Sequence, residues 1–203
     1  MLPIMLCALA PLGNFIGSYL AVFLDWLSSV GGGIAVGFVG AVYCFLVMTG
    51  MHSPLAMIGI GALFSTGYDS LLFVAASCAM CACCGMTLAA FLRLKNSEEK
   101  ALSMGYLVTL LACGITEPSL YGIGVRYKKP FIGLAAGGLA GGLYAGFTHV
   151  TYHALIAPIV LYPFAFSGGG ASNMVNGIIG CVISFAVALA VTLVTGFDKG
   201  SDA

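Results

Sequence analysis

The sequence predicts an all-α polytopic membrane protein with about four full spanning helices, further re-entrant or broken helical segments, and an N-terminal amphipathic helix. Three observations predict it. Of the 203 residues, 61% are hydrophobic and 7% charged, and the mean hydropathy is +1.09, more apolar surface than one soluble core can bury. Several apolar runs reach about twenty residues, the length that crosses a bilayer. Between them stand short polar interruptions flanked by glycine and proline, which stop a helix.

The N-terminal Met1-Leu2-Pro3-Ile4-Met5-Leu6-Cys7 lacks the basic region of a secretory signal and is too short an apolar run before Pro11 to span, so it reads as the end of a helix begun earlier. Asn14, Ser18, Asp25 and Ser29 then share one helical face. This is either an interfacial amphipathic helix with Trp26 at headgroup depth, or a spanning helix with one polar seam. Residues 31–51 span and end at Thr49-Gly50-Met51-His52-Ser53-Pro54. Residues 55–64 are too short to cross and read as re-entrant. Residues 71–92 span again and meet the most hydrophilic loop, which carries Arg93, Lys95, Glu98, Glu99 and Lys100.

Residues 101–125 form one apolar stretch broken by Gly114-Ile115-Thr116-Glu117-Pro118. A carboxylate among apolar residues is costly unless something uses or pairs it. Broken helices at membrane depth persist only inside protein or along a wet cavity, which is where transported solutes bind. Glu117 is therefore the first candidate ligand group. Cations stand before this stretch (Arg93, Lys95, Lys100) and after it (Arg126, Lys128, Lys129), and positive loops favour the cytoplasm. The segment is thus expected to dip in and return as a hairpin with Glu117 near its tip. Residues 131–152 span outward, residues 154–166 with Pro158 and Pro163 are short and re-entrant, Gly168-Gly169-Gly170 turns, and residues 173–196 return to a cytoplasmic C-terminus. Gly40, Tyr43 and His52 are spaced as Gly141, Tyr144 and His153 are, a weak internal repeat.

The eight cysteines lie inside apolar runs, so a disulfide framework is not expected, and Cys78, Cys81, Cys83 and Cys84 read as small packing residues rather than a metal or redox centre. His149 and His153 sit four apart, as on one helical face, and read as polar packing or cavity lining. No metal site is expected. Asp69 ends a helix or lines an entrance, and Asn173 and Asn176 read as helix caps. A net charge of zero offers no basic face for nucleic acid.

Gly114-Ile115-Thr116-Glu117-Pro118, followed by Tyr121-Gly122 and the basic Arg126-Tyr127-Lys128-Lys129-Pro130, closely resembles the sugar-specific enzyme IIC component of the bacterial phosphoenolpyruvate-dependent phosphotransferase system, glucose/sucrose/β-glucoside superfamily. Thr49-Gly50-Met51-His52 resembles its upstream Gly-x-His element. Ser53 stands where members often carry a second histidine or an aromatic residue. The resemblance implies a multi-pass sugar permease of the bacterial cell membrane, with residues 1–203 forming the transport half. It places sugar binding on Glu117 and His52 with the adjoining Thr116 and Gly50, and makes Glu117 a candidate general base. The implied partners are a sugar, phosphorylated enzyme IIB as donor, membrane lipid, and a dimerisation half or second copy; IIA and IIB domains are not within these residues, and no cofactor is implied. A proton-coupled secondary transporter using Glu117, and a non-transporting remnant, are the alternative readings.

Overall fold

The computed structural model describes residues 32–197, with Tyr19 ahead of them. The amphipathic stretch expected over residues 14–29 and the charges at Asp198, Lys199 and Asp202 lie outside the described residues. The described chain is helical: α1 is Gly32–Met48, α2 His52–Thr66, α3 Leu72–Arg93 and α4 Ser97–Cys113. A short α5, Glu117–Ser119, runs into a wider π turn, Leu120–Val125. Then come α6, Pro130–Phe147, a 3-10 turn at Ile159–Leu161 leading into α7, Tyr162–Phe166, and α8, Gly170–Thr195.

Each of the four expected spans contains one long helix. Among the described residues three runs are long and apolar enough to cross a membrane: α3, α6, and the continuous stretch Ile159–Thr195 that carries α7 and α8. The described part of α1 is shorter. The short segment expected at residues 55–64 forms most of α2.

Small residues decide how these helices meet. α6 lies between α1 and α8, and its glycines serve both sides. A Cβ on Gly138 would stand 2.2 Å from the Gly40 carbonyl of α1, and one on Gly141 would stand 1.7 Å from Ser184 Oγ of α8. Contacts this close leave no room for a methyl group on either glycine, the mode of close helix contact used inside membranes. The cysteines of α3 complete the core: Cys78 and Cys81 pack with Val36, Val39 and Phe166, and Cys83 and Cys84 with Cys44, Leu120 and Leu134. The seven described cysteines are free thiols.

Both ends of the bundle are tied by polar contacts. At one end Arg93 donates to the Leu193 carbonyl near the C-terminus of α8, and Tyr127 meets Phe197 edge-on at 5.2 Å. Basic side chains are favourable partners for the last carbonyls of a helix. At the other end Asp69 and Tyr152 exchange backbone hydrogen bonds of 2.8 and 2.7 Å. The Asp69 carboxylate accepts from the Phe73 N–H at 2.6 Å, so Asp69 serves the start of α3. Burial pushes this carboxyl up from its ordinary value, and the N–H groups opening α3 oppose that.

Several boundaries differ from expectation for identifiable reasons. α4 starts at Ser97 rather than 101 because the Asn96 side chain accepts from the Glu98 N–H at 3.0 Å and Glu98 and Glu99 occupy the first turn. α6 stops at Phe147 rather than 152: the Thr148 hydroxyl donates back to the Tyr144 carbonyl at 2.8 Å, and His149 adopts a left-handed φ of 51°. His149 and His153 therefore do not share a helical face, and the ring nitrogen of His153 pairs with the Thr151 hydroxyl at 2.9 Å. Nor does the internal repeat extend to its histidines, since His52 opens α2 while His153 lies in a non-helical segment. Asn173 is not a cap. Its side chain accepts from the Thr151 N–H and donates to the Thr151 and Phe166 carbonyls, stapling the loop before α7 to the first turns of α8. Asn176 is not a cap either; it accepts from the Tyr144 hydroxyl at 3.4 Å.

Candidate functional site

The broken helix folds as a hairpin. α4 closes at Gly114, which has φ 70° and donates its N–H to the Leu110 carbonyl. The chain turns through Ile115 and Thr116, and α5 opens on Glu117 with Pro118 in its first turn, where a missing N–H costs nothing. At the foot of the hairpin Arg126 donates to one oxygen of Glu99, and the Tyr127 hydroxyl donates to the other at 3.0 Å. Between foot and tip the Tyr106 ring of α4 covers Gly122. The two cationic flanks thus meet at one end, as their charge pattern predicted. Glu99 was read in the sequence only as part of a hydrophilic loop; its partners follow it by 27 and 28 residues. Glu99→Gln is expected to lower the stability of the hairpin by about 1–2 kcal/mol, seen as a lower thermal midpoint in detergent; a midpoint equal to that of the wild type would show that the foot contributes nothing.

The tip lies beside the middle of α3. Leu120 and Ile123, following Glu117, are buried with Cys83, Cys84 and Met86, and α3 is 22 residues long. Two contacts dock the tip on its neighbours. The Tyr121 hydroxyl donates to the Met48 carbonyl at 2.9 Å, at the C-terminus of α1. The Gly114 backbone abuts the Ala157 carbonyl, where a Cβ would come within 2.0 Å.

Glu117 is half-buried. Among the described residues its carboxylate accepts no hydrogen bond and forms no ion pair. A carboxylate spent on capping its own helix would accept a backbone N–H, and this one does not. Thr116 beside it is buried. His52 is the first residue of α2 and half-buried, and its Nδ1 is buried with no hydrogen-bond partner. Gly50, exposed at φ 76°, makes the turn that delivers His52, with its N–H on the Val47 carbonyl. The Tyr121–Met48 bond brings the Glu117 hairpin onto the end of α1 that leads into this turn, although no hydrogen bond joins Glu117 to His52.

A cavity of about 270 Å³ adjoins the tip, with Tyr43, Phe73, Met80, Tyr152, Ala157 and Tyr162 in its wall. Tyr43 and Tyr121 were not singled out as site residues from the sequence. Tyr121 stands one helical turn beyond Glu117, a spacing that could have marked it; Tyr43 stood out only as one position of the weak internal repeat.

A family model described as Phosphotransferase system, EIIC matches residues 1–138, taking in both the His52 turn and the Glu117 hairpin. The chain belongs to the phosphotransferase EIIC family. Among EIIC-containing relatives, it is 32% identical to the PTS system beta-glucoside-specific EIIBCA component of Bacillus subtilis (strain 168), over 93% of this chain and 30% of that protein. It is also 32% identical to the sucrose-specific EIIBC component of the same organism, over 96% of this chain and 42% of that protein. Identity to the arbutin-, cellobiose-, and salicin-specific EIIBC component of Escherichia coli (strain K12) is 28%, over 97% of this chain and 41% of that protein. The chain thus spans less than half the length of these EIIC relatives. No solved structure gives a significant match.

Proposed function

We propose that this chain is the transport half of an EIIC sugar permease, binding a glucoside or related sugar at mid-membrane and translocating it with coupled phosphorylation. The observation that carries this reading is the Glu117 carboxylate, half-buried at a hairpin tip among apolar helices and hydrogen-bonded to no described residue. An ionised carboxylate accepts from two sugar hydroxyls at once, and the unpartnered His52 Nδ1 can meet a third. Thr116 and Gly50 hold these two groups in place.

Coupling requires a donor outside these residues, the phosphocysteine of enzyme IIB. The sugar hydroxyl attacks phosphorus, the S–P bond breaks as the O–P bond forms, and Glu117 takes the hydroxyl proton as general base. The relatives' names join B and C components in one protein, which supports IIB as partner. A dimerisation half or second copy is the remaining partner on this reading. Arg93, Arg126 and the C-terminal end of α8 gather at one end of the bundle, which supports a multi-pass arrangement with a cytoplasmic C-terminus.

The test is uptake in membrane vesicles supplied with enzyme IIB and its upstream phosphate carriers. Sugar phosphate formed only when phosphoenolpyruvate is added is the expected result. Unmodified sugar accumulated and released by an uncoupler would instead mark a proton-coupled carrier, and the absence of any uptake would mark a non-transporting remnant.

A further inference from the structure

We infer that Tyr121 is a positioning residue for sugar binding: its hydroxyl fixes the turn that carries His52 at a set separation from Glu117. The inference rests on the reading of Glu117 and His52 as sugar ligands. It adds what holds two groups from distant parts of the chain in register.

The strut is anchored at both ends. Tyr121 leaves the hairpin one turn beyond Glu117, from a π turn, a local widening that recurs at functional sites. Leu120 beside it is fully buried with Cys83 and Cys84 of α3, and Ser119 is buried as well, so the backbone that presents the ring is held in place. The ring itself is exposed, which leaves its hydroxyl to fix where it ends. That hydroxyl donates to the Met48 carbonyl at 2.9 Å. Met48 closes α1, and carbonyls in the last turn of a helix lack a helical N–H partner. The bond therefore satisfies a group that α1 leaves open.

Whatever fixes Met48 fixes His52, because only Thr49, Gly50 and Met51 lie between them and their turn is braced. The Gly50 N–H sits on the Val47 carbonyl at 3.0 Å, the Thr49 hydroxyl on the Leu46 carbonyl at 3.0 Å, and the Ser53 N–H on the Gly50 carbonyl at 3.5 Å. Packing gives the start of α2 little else, since Leu55 and Gly59 are the buried residues among its 15. Among the described residues the Tyr121–Met48 bond is the sole hydrogen bond between residues 114–125 and residues 48–53. A sugar that meets Glu117 with one hydroxyl and His52 with another binds more tightly when both groups are already placed, because it need not order the turn itself.

The experiment measures equilibrium binding of radiolabelled methyl glucosides, in both anomeric forms, to membranes carrying the full protein, its single variants Tyr121→Phe and His52→Ala, and the double variant. Phe keeps the ring and removes only the hydroxyl. His52→Ala is expected to weaken binding about tenfold, the worth of one lost hydrogen bond at the upper end of the usual range. Tyr121→Phe is expected to weaken it by about three- to tenfold, since it can lose no more than His52 supplies. The double variant should bind as His52→Ala does, because a strut for an absent ligand group has nothing to place. A merely structural hydroxyl would lower the thermal midpoint alike in both backgrounds and show no such dependence on His52. Unchanged affinity in Tyr121→Phe, or an equal loss in both backgrounds, would overturn the positioning role and leave the sugar reading standing. Undiminished binding in His52→Ala, or binding of neither glucoside by the wild type, would overturn the sugar reading at His52 and the positioning role with it.

Discussion

Glu117→Gln is expected to reduce phosphoenolpyruvate-dependent sugar phosphorylation by about a hundred- to ten-thousand-fold, the range associated with a positioned general base. Gln keeps the shape of the side chain and removes its charge, so the loss isolates what the carboxylate does. Sugar binding is expected to weaken as well, by roughly ten- to a hundredfold, because charge-assisted hydrogen bonds become neutral ones. The fold should be indifferent to the change. Among the described residues Glu117 accepts no hydrogen bond and forms no ion pair, so no internal partner is orphaned and the thermal midpoint should stay where it is. The two losses are separable. Weaker binding with a normal rate at saturating sugar would make Glu117 a ligand and not a base. Normal binding together with a full phosphorylation rate would remove it from both roles.

What the sequence disclosed follows from which forces are local. The spans were legible because crossing a bilayer demands an uninterrupted apolar run, and α3 and α6 fill such runs. The hairpin was legible twice over, from the glycine and proline around Glu117 and from cations at both flanks. What failed depended on tertiary partners. Asn173 has the residue type and position of a cap, yet its amide is taken by Thr151 and Phe166 from another part of the chain. His149 and His153 have helical spacing, but Thr148 and His149 end the helix before either can use it. Tyr43 was legible only as one position of a weak internal repeat, not as a cavity residue. Its place in the cavity wall depends on Tyr152 and Tyr162, which come from a distant part of the chain, and nothing in the run from Gly32 to Met48 encodes their arrival.

Gly114→Ala is expected to lower stability by about 3 kcal/mol, adding a left-handed backbone penalty of roughly 1–2 kcal/mol to an overpacking cost of similar size. The backbone there has φ 70°, and the added carbon would sit 2.0 Å from the Ala157 carbonyl oxygen and 2.7 Å from its carbon. Both obstacles are main-chain atoms, so no rotamer change relieves them. Gly105→Ala, on the same helix, is the contrasting case: a Cβ there meets nothing within 4 Å, and the substitution should be neutral or stabilise by about 0.5–1 kcal/mol. Thermal midpoints in detergent should therefore move in opposite directions or, at the least, separate by many degrees; equal midpoints would mean that the hairpin tip is not held where the structure puts it. The functional consequence goes beyond stability. Gly114 lies three residues before Glu117, so relieving the clash must shift the hairpin tip that carries the carboxylate. Sugar affinity should then fall even in the folded fraction, because a displaced carboxylate no longer meets the hydroxyls it is proposed to bind.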